Sequence, residues 1–412
     1  MTLLFKNIRT LILGNDKSVA GAAMKIMPAV NDAFLRVEKG LIHSFGEMKN
    51  IDSGSAMISD QHYQEIDATG RIMLPAWIDS HTHLVFAKTR EEEFVDRLNG
   101  LSYEEIANRG GGILNSSKKL NETSEGKLFE DAWIRLEEIR NYGTCAVEIK
   151  SGYGLTVDGE MKMLRVVRRL KEKSPLTIKA TFLGAHAYPI EFKINHQGYL
   201  DLLIQKMLPQ IADENLADYV DVFCDRGFFS PDETSQILET AQKYGLKPKI
   251  HANELDYSGG IQVGVKNGAI SVDHLECCGE DEINCLKNSK AIPTLLPSTA
   301  FFLGLKYPPA RRMIDAGLAV ALATDYNPGS SPSGRMSFVL SLACSQMKML
   351  PEEALHAATI NGAAALELES THGSITVGKK ANCIVTKPID SYNQIPYSFG
   401  NDLIERVYID GK

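Results

Sequence analysis

Two rhythms of apolar and polar residues divide the chain. Up to about Arg71, short β-like pieces at Leu3–Phe5, Thr10–Leu13, Ala33–Val37 and Leu41–Phe45 are punctuated by Gly, Asn and Asp, the pattern of a small sheet with tight turns. The far end repeats it at Ile375–Val377, Asn382–Thr386 and Arg406–Ile409. From Ile72 onward, short apolar runs alternate with helix-period segments. The runs are Met73–Asp79, Thr144–Lys150, Thr177–Ala185, Tyr219–Asp225, Pro248–Ala252, Ser271–Leu275, Ala291–Pro297 and Leu318–Asp325. Between them, Met163, Val166, Val167 and Leu170 give the i, i+3, i+4, i+7 stripe of an amphipathic helix, and 232–244 and 333–349 also suit helices.

Strand–helix alternation calls for parallel strands with crossover helices, and eight strands is the number that closes a (β/α)8 TIM barrel. An open doubly wound sheet is the alternative, but no GxGxxG follows the first run. The expected architecture is therefore α/β, with a barrel over 72–372. Segments 1–71 and 373–412 combine into a small β-sandwich domain. The most irregular stretch runs from Asn108 to Ser124 around Gly110, Gly111 and Gly112, and reads equally as a surface loop or as a lid.

Composition narrows the class. Of 412 residues, 44% are hydrophobic and 23% charged, an ordinary globular profile, and the net charge of -8 argues against general nucleic-acid binding. Seven cysteines without a CxxC pair (Cys145, Cys224, Cys277, Cys278, Cys285, Cys344 and Cys383) point to a reducing compartment. Adjacent Cys277 and Cys278 read as structural. No run is long enough to span a membrane, and Met1 to Gly14 lacks the features of a signal peptide, so the expected location is cytoplasmic.

Chemistry enters at Asp-Ser-His-Thr-His (79–83), which ends the first barrel run. Side chains at i and i+2 on a strand share a face, so His81 and His83 can reach one ion. A lone HxH is common by chance. Its weight comes from His186, His251 and His274, which end the third, fifth and sixth runs, and from Asp325, which ends the eighth. In a barrel these ends surround one mouth. Imidazoles and a carboxylate there suit a divalent metal such as zinc or iron, which lowers the pKa of a bound water to about 7. Glu254, three residues beyond His251, faces the site only if the chain turns out of the strand, and then serves as proton shuttle or hydrogen-bond partner. His274 either orients the attacking water or ligates the metal. Glu254, His274 and Asp325 are the candidate catalytic residues. His43, His62, His196, His356 and His372 lie away from strand ends and read as surface or core.

With these residues assembled, the chain resembles the amidohydrolase superfamily, and within it the imidazolonepropionase family of histidine degradation. The broad marks are Ile-Asp-Ser-His-Thr-His (78–83), His251, His274, Asp325 and the tail segments 373–382 and 407–412. The narrower marks are Glu-Ile-Lys-Ser-Gly-Tyr-Gly-Leu (148–155), Thr-Phe-Leu-Gly-Ala-His-Ala (181–187), Val-Asp-Val-Phe-Cys-Asp (220–225) and the segments 295–304 and 323–332. The resemblance implies metal ligation by His81, His83, His251 and Asp325, one zinc or iron per subunit, and a homodimer. It implies substrate contacts at Arg90, Tyr103, Tyr153, His186, Glu254, Asn327, Gly329 and Ser330. The implied reaction opens the ring of the small-molecule substrate 4-imidazolone-5-propanoate to N-formimidoyl-L-glutamate, with Arg90 on the propionate carboxylate and His186 on the ring carbonyl.

Three positions depart from the family pattern: Ala76-Trp77 before Ile-Asp, Asn253 between His251 and Glu254, and Asn382 in the tail. None is a proposed ligand. Two rivals remain at this level. A deaminase of the same superfamily shares the metal site but has less need of an arginine clamp. A catalytically dead scaffold typically loses ligands, whereas all four are present here.

Overall fold

The computed structural model describes residues 2–51, 63–101, 105 and 111–412. Tyr103 and His62 lie outside the described residues. Near the N-terminus β1 (Thr2–Ile12) joins two expected pieces into one strand, with an irregularity between Phe5 and Ile8. β2 (Ala29–Glu38), β3 (Leu41–Glu47), β4 (Tyr63–Asp67) and β5 (Ile72–Pro75) follow.

The chain then enters the barrel with β6 (Trp77–Asp79), β7 (Thr144–Lys150), β8 (Thr177–Ala185) and β9 (Tyr219–Cys224). The fifth stave is split into β10 (Lys247–Pro248) and β11 (Ile250–Ala252), and β12 (Ser271–His274), β13 (Ile292–Leu295) and β14 (Ala321–Leu322) complete the ring. β15 (Cys383–Thr386) and β16 (Ile404–Tyr408) return to the first sheet.

That first sheet runs β16-β15-β5-β1-β2-β3, with β4 beside β1, so it is built from both ends of the chain. The rings of Phe5 on β1 and Tyr408 on β16 meet edge-on at 4.9 Å. Two strands lie between theirs, and in a flat sheet the separation would be roughly 14 Å at the usual interstrand spacing. The sheet therefore folds over on itself, enclosing a core of Leu3, Phe5, Ile8, Leu11, Leu35, Met73 and Cys383. This is the sandwich expected from the flanking patterns.

Two strand expectations change. Met73–Asp79 is not one strand: Ile72–Pro75 pairs with β1 and β15, and only Trp77–Asp79 pairs with β7. Pro75 has no N–H to extend a ladder, and beyond it Ala76 N–H turns to Asn382 O while Trp77 N–H turns to Gly143 O. Ile375–Val377 forms no strand, because Gly373 and Gly378 take φ of 84° and 88° on either side of it. Ile375 is buried and tied by one bond to Leu13 O at 2.7 Å.

The barrel strands pair in parallel in sequence order from β6 to β14. The ring closes through a parallel bridge between Thr82 and Tyr326 and a bond from Asp325 N–H to His81 O at 3.0 Å. Asp79 fastens the same seam, accepting from Thr324 N–H and Oγ1 at 3.0 and 2.6 Å. The predicted stripe forms the buried face of the helix Val157–Lys173. Pro231–Lys243, started by a Ser230–Glu233 capping box, and Met336–Ser345 are the other two expected helices.

Of the stretch from Asn108 to Ser124, residues 108–110 lie outside the described residues, and over Gly112–Glu122 the loop expectation fails, since that segment is a helix. Its inward stripe is thin, with Ser117 between Ile113 and Leu120, and most of the remaining helix is polar, which is why hydropathy alone hid it. Among the described residues no helix is long and apolar enough to cross a membrane.

Candidate active site

His81 and His83 leave the end of β6 with their rings 5.3 Å apart. Nε2 of each lies 3.5 Å from Asp325 Oδ1, and His251 Nε2 lies 3.4 Å from His83 Nε2. All four side chains are buried. His81 Nε2 and Asp325 Oδ1 have no hydrogen-bond partner. Buried polar atoms left bare this way carry a desolvation penalty unless something else satisfies them. Three imidazoles and one carboxylate around a common point is a donor set that fits a divalent metal, and His81, His251 and His274 form a second compact group at the same place. Other atoms of Asp325 are already held: Oδ2 accepts from Thr299 Oγ1 at 2.5 Å and from Ser330 Oγ at 3.3 Å.

The backbone is strained where the site residues sit. His274 and Asp325 take φ of 81° and 53°, a conformation that costs a non-glycine residue about 1–3 kcal/mol. Asn253, at φ 55°, turns the chain out of β11 and carries Glu254 off the strand, as its spacing from His251 requires.

Burial sets the charge states. It pushes the imidazoles of His81 and His83 well below the ordinary histidine value, which leaves them neutral and able to ligate. His186 falls to about 3 from burial, with His251 adding to the effect. For His274 burial also works against the charge, but Glu254 and Glu276, each with an oxygen 3.6 Å from Nδ1, lift it to about 10. Burial raises Glu254 to about 7, against the pull of His274 and with the push of Glu276 and Asp325.

Beneath His81, His83, His251 and Asp325 is a floor of buried charge that the strand-end pattern does not single out. Asp273 Oδ2 lies 2.7 Å from His81 Nδ1, and Asp221 Oδ2 lies 2.8 Å from His251 Nδ1. Asp221 Oδ1 also accepts from His251 N–H at 3.0 Å. Lys150 bridges both aspartates and Glu148, while Lys249 binds Glu148 and Ser80 O. Burial alone would strip Lys150 of its charge, but Asp221, Glu148 and Asp273 hold its pKa above the ordinary lysine value. A legible signal did exist. A lysine or glutamate inside an otherwise apolar run must find an opposite charge if both faces of the strand are covered.

The rim is made of loops. His186 Nδ1 donates to Gly152 O at 3.0 Å, and its ring stacks on His83 with centroids 5.3 Å apart. Tyr153 is buried 5.9 Å from the His83 ring. Its loop is held by Glu160, which accepts from the N–H groups of Gly152, Gly154 and Leu155 at 3.0, 2.7 and 2.9 Å. Arg90 Nε and Nη2 donate to Glu93 Oε2 at 2.8 and 2.5 Å, and a side chain at Gly329 would collide with Nη1. Asn327 shapes that loop, its Oδ1 accepting from Gly329 and Ser330 N–H at 2.8 Å and its Nδ2 donating to Asp325 O at 2.7 Å. Every predicted site residue that is described therefore lies at this mouth or on a loop tied to it.

The amidohydrolase family model matches residues 225–412. An imidazolonepropionase of Flavobacterium johnsoniae is 58% identical over the full length of both chains, and one of Flavobacterium psychrophilum is 55% identical over the same span. Among solved structures, an E. coli guanine deaminase superposes with a TM-score of 0.74 at 16% identity, covering 100% of this chain and 98% of that one, a likeness of fold. With a full-length relative at 58% identity and a histidine–aspartate cluster that could hold a metal at the barrel mouth, the chain belongs to the imidazolonepropionase family of the amidohydrolases and is a hydrolase.

Proposed function

We propose that the chain opens the ring of 4-imidazolone-5-propanoate by hydrolysis, giving N-formimidoyl-L-glutamate in histidine degradation. One observation carries this reading: His81, His83, His251 and Asp325, drawn together by contacts of 3.4–3.5 Å, share their mouth with an arginine packed on the 327–330 loop, in a chain 58% identical to an imidazolonepropionase. His81, His83 and His251, through Nε2, and Asp325, through Oδ1, would hold one divalent ion per subunit, zinc or iron. When bound, that ion supplies an activated water and polarises the ring carbonyl.

The protein's own groups do the rest. The water oxygen adds to the carbonyl carbon, the C–N bond at that carbon breaks, and the departing nitrogen takes up a proton. Glu254, lifted by burial to about 7, is poised to accept the proton of the water and return it to that nitrogen. His274, held as a cation between Glu254 and Glu276, has a proton to donate and no free lone pair, so it fits a donor to the water or oxyanion better than a metal ligand. The tautomer of His186 sharpens its role. With Nδ1–H on Gly152 O, the neutral ring offers Nε2 as an acceptor, which suits a ring N–H of the substrate and not its carbonyl. Arg90 keeps Nη1 uncommitted to Glu93 and faces the loop, suited to the propionate carboxylate. Tyr153 adds a hydroxyl at the same wall. Gly329 leaves room for the guanidinium, and Asn327 and Ser330 act by fixing the loop against Asp325. Tyr103 completes the expected substrate contacts.

A homodimer is proposed on the family resemblance. A cytoplasmic location is supported by seven cysteines that are all free. The division into a small β domain from both ends of the chain and a barrel between them is proposed as the domain organisation, with the boundary expected at 71/72 moved past Pro75 because β5 pairs in the small sheet. Incubating metal-replete protein with freshly generated imidazolonepropionate should yield N-formimidoyl-L-glutamate, and absence of that product would sink the assignment.

A further inference from the structure

We propose that Lys150 is a positioning residue for the metal centre, a buried ammonium that fixes two ligand imidazoles at once through Asp221 and Asp273. The inference rests on the metal-site reading above. Lys150 Nζ lies 2.7 Å from Asp221 Oδ2 and 3.4 Å from Asp273 Oδ2. Those same two oxygens lie 2.8 Å from His251 Nδ1 and 2.7 Å from His81 Nδ1. One ammonium thus closes a continuous bridge from His81 through Asp273, Lys150 and Asp221 to His251. It runs beneath two ligands that come from different strands, β11 and the end of β6.

An ammonium has three donors and no lone pair. The three donors of Lys150 have three carboxylate partners, the third being Glu148 Oε1 at 2.9 Å. Lys150 is therefore fully committed, and its side chain is completely buried. It is neither a base nor a substrate contact. Stability is a poor explanation for it, because replacing buried charge clusters by apolar side chains is often neutral or stabilising. What the cluster does supply is orientation. A carboxylate beside each Nδ1, hydrogen-bonded to His81 and 2.8 Å from His251, favours the tautomer that leaves Nε2 bare, and a shared cation keeps both carboxylates in place. His83 makes the contrast: no aspartate of the floor is paired with its Nδ1, and no such bridge reaches it.

Two physical effects of Lys150 on the ion have opposite signs. By Coulomb's law alone, deleting a cation near a dication strengthens metal binding. If Lys150 acts through the two aspartates, deleting it weakens binding, so the direction of the change decides between them. The experiment is a zinc titration of chelator-stripped full-length protein, in competition with a chromophoric chelator, for the unaltered chain and Lys150→Met. The expected result is a zinc dissociation constant raised about 10–100-fold, the range for loss of an orienting partner, together with a lower unfolding midpoint, because three buried carboxylates lose their shared cation. In an Asp221→Asn/Asp273→Asn background, Lys150→Met should add little further loss.

Zinc binding by Lys150→Met as tight as, or tighter than, that of the unaltered chain would overturn the proposal. Should the Met variant fail to fold, Lys150→Gln decides in the same titration: weaker binding supports the bridge, and equal or tighter binding overturns it. Failure of the unaltered chain to take up zinc or ferrous ion overturns the metal reading itself and this proposal with it.

Discussion

The floor of the barrel mouth and its rim are made of different material. The floor is strand: His81, His251, Asp221, Asp273, Lys150 and Glu148 sit on or at the ends of buried staves and are locked by charged contacts with almost no exposure. The rim is loop: Arg90, Tyr153 and the 327–330 turn are placed by Glu93, Glu160 and Asn327, each of which uses its side chain to hold backbone or a guanidinium. Rigid staves suit the fixed geometry a metal demands, and loops can be shaped to a particular substrate without moving the staves. The difference assigns metal affinity to the floor and substrate affinity to the rim.

Breaking the proposed metal site should have the largest effect. His251→Ala should empty the site by elemental analysis and lower turnover by about a thousandfold or more, since the ion contributes several kcal/mol to the transition state. One step out, Asp221→Asn should weaken metal binding by about 10–100-fold in a chelator competition, with KM little changed once the site is saturated. On the rim, Arg90→Ala should raise KM by roughly 10–100-fold, the worth of a hydrogen-bonded charge contact, with metal content unchanged. An unchanged KM would remove Arg90 from the substrate site. The smallest effect belongs to Glu93→Gln, which keeps one acceptor for Arg90 and should raise KM by less than about tenfold, as expected for a partner that orients without touching substrate.

Much of the floor is legible in the sequence as a pattern. Parity puts His81 and His83 together, and the ends of the apolar runs gather His251, His274 and Asp325 at the same mouth. The charges behind them are not legible in this way. Lys150 meets Glu148 within its own run, but it meets Asp221 across 71 residues and Asp273 across 123, so no local window contains the partners that tie it to the histidines. Averaged hydropathy absorbs the one or two charges of each of these apolar runs.

The rim is less legible still. Arg90 follows no periodicity, and only the family resemblance picks it out. Glu93 and Glu160 act on it and on the Tyr153 loop from the first turns of helices, where acidic residues are common for other reasons. The Gly112–Glu122 helix is hidden by its polar face. Ser117 and Asn121 each donate to Gly154 O at 2.8 Å, so even this helix is fastened to the Tyr153 loop.

Metal dependence is the claim on which the rest stands, and the most direct test follows turnover of imidazolonepropionate as a chelator withdraws the ion, with metal content measured on the same samples. The account predicts that activity falls in proportion to metal content and returns when zinc or ferrous ion is restored. Full turnover by protein shown to be metal-free would contradict it.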